Sequence, residues 1–396
     1  MTSDLLVRRV VDDVHGRADS LVDLSHRLHA DPEPAWEEER SSVAVAELLE
    51  AAGFTVRRGV NELPTAVRAE YGDGPLTVVV CAEYDALPGM GHACGHNIIA
   101  ASSVGTACAL AGVADDTGLR VVLLGTPAVE GGGGKILMLQ RGAFDGAHLA
   151  VMAHPGPLDV ARAQPYAVDH LRITFTGRAA HAAAYPEQGV NAADAFTVAQ
   201  VAVGLLRQQL PDDVRVHGVV TNGGDAPNVI AQHTEGRWYV RGRTTEQMRE
   251  VEARVLRCFE AGALATGCTL TMEPESPPYA EFRTDEWLLA RYVERAQSLG
   301  RVFADPSDPA SLMSRASTDM GNVSQAVAAI HPYVGIGSLP AVNHQPGFAA
   351  AVVTPKADEA LLDAATALAL TVCDAATDEP TRERLLRTPC ERTSDA

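Results

Sequence analysis

Apolar residues at Leu5, Leu6, Val10, Val14, Leu21, Leu24 and Leu28 recur with a period near 3.6, which predicts helix across the first 52 residues. Asp31-Pro32-Glu33-Pro34 breaks that helix, and a second is expected from about residue 36 to 52, with Gly53 as its C-cap glycine. Two continuous apolar runs follow, LTVVVCA at 76–82 and LRVVLLG at 119–125. They have the composition of strands buried on both faces. Between them, 98–111 reads as a small-residue helix, and 148–153 adds a short strand. Strands alternating with helices predict an α/β fold, a mostly parallel sheet flanked by helices.

The pattern changes after about residue 164. Segment 169–175 alternates like an exposed strand, 192–210 and 245–265 carry helical periodicity, and 214–221, 229–232, 236–241 and 269–272 read as short strands. Two helices with about four strands make a small α+β domain, 166–275, inserted into a larger one built from 1–165 and 276–396. The last 20 residues are polar and are expected to fray. No internal repeat or low-complexity segment interrupts this plan.

The 396 residues carry 32 Lys+Arg against 51 Asp+Glu, a formal net charge of −19. Such an acidic chain lacks the clustered cations that a nucleic-acid surface or a polybasic membrane anchor requires. No stretch approaches 18 consecutive apolar residues, so no membrane-spanning helix is expected. The N-terminus lacks the apolar core of a signal peptide, and the seven cysteines are odd in number. Reduced thiols in a cytoplasmic protein are the expectation.

The densest chemistry is Glu83-Tyr84-Asp85 followed by Gly91-His92-Ala93-Cys94-Gly95-His96, just after a predicted buried strand. Open α/β sheets place ligands at such strand ends. A thiol, imidazoles and carboxylates together suit a borderline-soft divalent cation such as zinc. Glu130 follows the next strand and precedes four glycines and Lys135. A phosphate-binding loop is disfavoured there, because Ile136 stands where Ser or Thr is required. Close backbone approach is the better use of those glycines. His154 and His344 lie in two further loops. Cys94, His96, Glu130, His154 and His344 make five candidate ligands, more than one tetrahedral ion takes, so two metals sharing ligands is the natural arrangement. Zinc is expected, with manganese, cobalt or nickel as alternatives.

The segments LHADPEPAWEEE, AEYDALPGMGHACGHN, GTPAVEGGGGK, MAHP, FTGRAAHAAAYPEQGVNAADA, TNGGDAPNVI, STDMGNVS and NHQP resemble, in order, those of the zinc aminoacylase and carboxypeptidase metallopeptidases. The branch of aminobenzoyl-glutamate and indole-acetyl-amino-acid hydrolases is nearest. The resemblance implies a metal-binding catalytic domain, an inserted lid domain that makes a homodimer, and a small acyl-amino-acid-like substrate. It puts Cys94, His96, Glu130, His154 and His344 at the ligand positions of a two-metal site, and Asp85 at an aspartate that orients a ligand. His181 matches a lid histidine that stabilises the oxyanion in the partner's site, and Asn228 and Arg243 resemble residues that hold the substrate carboxylate or the oxyanion.

One departure stands out. The family has two glutamates after Gly-Thr-Pro-Ala; the second is Glu130, but the first, the general base, is here Val129. General acid–base catalysis contributes ~10²–10⁴-fold, so its loss raises the barrier by roughly 3–5 kcal/mol. Gln325 stands where an aromatic residue is expected, and Gly347 where an acidic one often follows. The resulting expectations are an amidohydrolase using Glu83, Asp85 or a substrate group as its base, a metalloenzyme diverted to amide formation, cyclisation or elimination, or a catalytically dead binding protein.

Overall fold

The computed structural model describes residues 3–305 and 307–390. The chain divides into two compact units, one running up to Pro165 and resuming at Phe282, the other Tyr166–Glu281. In chain order the first unit contributes strands β1 (Thr55–Arg58), β2 (Val67–Tyr71), β3 (Leu76–Ala82), β4 (Leu119–Gly125), β5 (Leu149–Val151) and β6 (His154–Gly156). The second contributes β7 (Ala167–Thr176), β8 (Arg215–Asn222), β9 (His233–Gly242) and β10 (Thr269–Pro274), and the first closes with β11 (Ala328–Ile330) and β12 (Tyr333–Gly335).

In the first unit the six strands run in the order β1-β2-β4-β3-β5-β11. The four from β4 to β11 are parallel, and β2 and β1 extend them antiparallel. β3 and β4 are in register from Leu76↔Leu119 to Ala82↔Gly125, so both chains leave the sheet at one level. β6 and β12 pair in parallel just beyond β5 and β11. The apolar runs are buried strands, as their composition demands.

Helix His96–Ala111 is buried along its entire length. Its Ala, Ser and Gly residues let neighbours approach closely: a Cβ on Gly105 would lie 2.9 Å from Leu21 and 3.1 Å from Ala365. The neighbour carrying Ala365, helix Pro355–Thr377, corrects one expectation. By length and composition it could cross a membrane, yet it lies mostly buried in this unit's core.

Three further corrections concern local structure. The first helix divides at Arg17 into Ser3–Gly16 and Ala18–Ala30. The next helix begins only at Glu39, because Trp36 has φ +70°, outside the helical region. At the C-terminus Glu379–Leu386 is helical, capped by Asp378 accepting from the Thr381 amide, so most of the expected frayed tail is ordered; 391–396 lie outside the described residues.

The second unit is an antiparallel sheet in the order β10-β7-β9-β8 with the helices Ala192–Arg207 and Thr245–Thr266. Phe175, Phe196, Trp238 and Phe259 pack between them. The expected strand at 229–232 is absent. Val229 makes one isolated bridge, to His181, and the Ile230 amide donates to the Ala180 carbonyl. The unit extends through Glu281 because Val168 and Tyr279 exchange backbone hydrogen bonds.

Candidate metal centre

Every candidate ligand leaves the same edge of the parallel sheet. Glu83 and Asp85 follow β3, Glu130 follows β4, His154 opens β6 just after β5, and His344 lies beyond β12. Cys94 and His96 sit at the start of the buried helix. Its N-cap, Gly95, has φ +85°, and a Cβ there would meet Pro155 at 2.5 Å. Only glycine permits that turn and that approach. The same reason explains one of the four glycines after Glu130: a Cβ on Gly134 would lie 1.9 Å from the Pro127 carbonyl oxygen.

Strain gathers here. Ala128, just before Val129 and Glu130, has φ +55°, and His344 has φ +65°. Such backbone persists only where the surroundings over-determine it. The buried Glu38 carboxylate accepts from the amides of Ala128 (2.9 Å) and Trp36 (3.0 Å) and from the Thr65 hydroxyl (2.8 Å), tying the two left-handed turns together. Burial, reinforced by Asp85, pushes its carboxyl up to about 6. His344 is fixed by its amide donating to the Ala93 carbonyl, and Asn343 beside it donates to the carbonyls of Cys94 and Pro155.

The five predicted donors converge into two trios that share Cys94: Cys94 with His96 and His154, all buried, and Cys94 with Glu130 and His344, which is more open. Cys94 Sγ lies 3.6 Å from His154 Nε2, and His344 Nε2 lies 3.3 Å from Glu130 Oε1. Metal–sulfur bonds of about 2.3 Å and metal–nitrogen or –oxygen bonds of about 2.0–2.1 Å put two tetrahedral donors about 3.3–3.6 Å apart. The spacing and the donor chemistry therefore fit divalent ions. Burial and the Glu130 carboxylate push the Cys94 thiol up, but His96 and His154 outweigh them and bring it down to about 6, towards the thiolate that binds metal. Burial likewise opposes the Glu130 carboxylate, whereas His344 and His96 hold its pKa below the ordinary value.

Asp85 braces one donor from each trio. Its Oδ1 lies 3.0 Å from His96 Nδ1, and its Oδ2 accepts from the Glu130 amide at 3.0 Å. Engaging Nδ1 leaves His96 Nε2 as the ligating nitrogen. Val129 is buried beside this loop, and its side chain offers no proton acceptor.

In the second unit, His181 and Asn228 belong to adjoining segments, the Ala182 amide donating to the Asn228 carbonyl. His181, an exposed residue, accepts from the Ala184 amide through Nδ1 at 3.1 Å, which leaves Nε2 as the ring's donor. Arg243 is not brought to them. It follows the other end of the ten-residue β9, about 30 Å along the strand, and pairs with Asp213 at 2.6 Å.

Two residues to which the sequence pattern assigns no role in the site, Lys135 and Asp319, form a buried brace with Glu83. Lys135, fully buried, holds Glu83 Oε1 at 2.5 Å and Asp319 Oδ1 at 2.8 Å. Burial would lower its pKa, but Asp319 and Glu83 raise it above the ordinary value. The signal for Lys135 is its place after the glycines; for Asp319, within STDMGNVS, only the fold supplies one.

Fold and donor set together describe a protein built to hold divalent metal. Residues 168–266 match the peptidase dimerisation domain of M20 peptidases. The Xaa-Arg dipeptidase of Mus musculus is 38% identical over 387 residues, covering 94% of this chain and 89% of that protein. A p-aminobenzoyl-glutamate hydrolase polypeptide of Escherichia coli is 31% identical over 286 residues, 67% of this chain and 60% of that polypeptide. A dinuclear metal-binding M20 peptidase from Bacillus subtilis shares the fold with a TM-score of 0.66 at 23% identity, over 91% of this chain and 98% of its own. The chain belongs to the M20 metallopeptidase family.

Proposed function

We propose that this protein is an amidohydrolase that uses two divalent ions, zinc by preference, to cleave the amide bond of an N-acyl amino acid or dipeptide. The observation that carries this reading is the pair of donor trios sharing Cys94 at the C-terminal edge of a parallel sheet. The names of the mouse and bacterial relatives support the substrate class.

Bound ions would act as Lewis acids towards the amide carbonyl and the attacking water. The protein's own residues do the rest. Asp85 fixes His96 and the Glu130 loop, the Ala128 turn presents Glu130, and the Nε2–H of His181 is a donor for a developing oxyanion in a partner protomer. Asn228 and Arg243 are the proposed contacts to the substrate carboxylate or the oxyanion, and, standing at opposite ends of β9, they would serve one site from different protomers. Arg243 must leave Asp213 to serve. Apolar residues on one helix face support a homodimer, and seven free thiols support a reducing compartment such as the cytoplasm.

Val129 sets the rate. Without the glutamate that shuttles the proton, hydrolysis is expected to run ~10²–10⁴-fold below its potential. The same residue favours a second reading, a site diverted to amide formation, cyclisation or elimination. Hydrolysis of a panel of N-acyl amino acids and dipeptides, aminobenzoyl-glutamate among them, by metal-loaded wild type and Val129→Glu distinguishes them. The hydrolase reading predicts measurable wild-type turnover, increased about 10²-fold or more by Val129→Glu. A wild type inert on the whole panel, with activity appearing only in Val129→Glu, would favour the diverted site.

A further inference from the structure

The inner trio, Cys94, His96 and His154, has three protein donors, and a closed tetrahedral ion needs four. Glu83 stands against it. The side chain is about 1% exposed, and its two oxygens have different fates. Oε1 receives the Lys135 ammonium, whereas Oε2 is buried without a hydrogen-bond partner. That Oε2 lies 3.5 Å from His96 Nε2, the nitrogen left for metal once Asp85 engages Nδ1. The spacing is the edge expected between two donors of one tetrahedral ion, about 3.3–3.6 Å.

Charge points the same way. Glu83, Lys135 and Asp319 are all fully buried, two carboxylates to one ammonium. The Lys135 ammonium is engaged by Glu83 Oε1 and Asp319 Oδ1, and its backbone amide donates to Asp319 Oδ2 at 2.9 Å. A buried carboxylate oxygen that accepts no hydrogen bond is costly unless a cation completes it. We infer that Glu83 supplies the fourth donor to the inner ion, closing that position and leaving the more exposed Cys94–Glu130–His344 position open to substrate. This rests on the two-ion site proposed above and makes the ions unequal: the inner one held tightly, the outer one exchangeable.

The test is a chelator-competition titration of the purified full-length protein with Zn²⁺, together with the visible absorption spectrum of its Co²⁺ form. Wild type should bind two ions of distinct affinity. Glu83→Gln should weaken the tighter one by at least about 10–100-fold and change the Co²⁺ spectrum, leaving the weaker within a few-fold. Asp319→Asn, which removes charge from the same lysine but does not face the donors, should keep the tighter ion within a few-fold. If Glu83→Gln does not fold, Glu83→Asp keeps the charge but withdraws the oxygen by one methylene, and the same selective loss is expected. Unchanged affinity of the tighter ion in the folded Glu83 variant overturns the inference, and so does an equal loss in Asp319→Asn. A wild type that binds no ion overturns the proposed function and this inference together; two ions in wild type and in Glu83→Gln at equal affinity overturns this inference alone.

Discussion

At the residue scale the site is defined by unequal sharing. Cys94 belongs to both trios and His344 to one, which predicts different consequences for removing them. Cys94→Ala should weaken both ions and His344→Ala only the outer one, each by at least about tenfold, since even supporting residues are worth about 10–100-fold in metal affinity. Metal analysis after equilibrium dialysis reads this directly, and full occupancy in either variant would count against the assignment. Val129 is the opposite case: the turn before it, with φ +55° at Ala128, is clamped by Glu38, while its own side chain offers no proton acceptor. The strained turn leads directly into Glu130.

At the scale of elements, β7 and β9 enclose a group whose titration should be visible. His170 on β7 packs edge-on against Tyr239 of β9 and Tyr279, and its Nδ1 lies 2.8 Å from the Ser276 hydroxyl. Burial, with Arg241 and His217 nearby, brings it down to about 4. A depressed imidazole is neutral in the fold and protonated when unfolded. Its contribution is therefore complete above pH ~6.5 and is lost as pH falls towards ~4, up to about 3 kcal/mol. His170→Phe should flatten the acid limb of the stability curve between those values; an unchanged slope would contradict the burial argument.

Elements were legible where burial imposes a simple pattern. The double-sided runs of β3 and β4 and the small-residue helix at 98–111 could be read to within a residue or two, because burial leaves them almost wholly apolar or small, with Arg120 the one charged residue among them. β1 and β2 were missed because TVRR and VRAEY carry charges on an edge hairpin. The false strand at 229–232 was apolar but pairs only locally with the His181 segment. The five donors were legible because each follows a strand or opens a helix. The Glu83–Lys135–Asp319 brace was not, since its lysine and aspartate are 184 residues apart and meet only through tertiary packing.

At the scale of the whole molecule, the second unit carries an exposed apolar face. Val198, Val201 and Leu205 recur on one side of helix Ala192–Arg207, with Leu205 70% exposed, and Val219 is exposed on the edge strand β8. Spacings of three and four residues place the three on one helical stripe. A homodimer through 166–281 is expected at micromolar concentration by light scattering, and Val201→Lys with Leu205→Asp should shift it towards monomer. A monomeric wild type would remove the role of His181 across the dimer.

Five side chains converging at one sheet edge are the proposed seat of two divalent ions. The most direct measurement is the metal content of the purified wild-type chain after equilibrium dialysis against Zn²⁺. Two bound ions per chain, removable by a chelator and restored on reloading, are predicted. A chain that retains no stoichiometric ion would rule out the two-ion site, however well its fold matches the family.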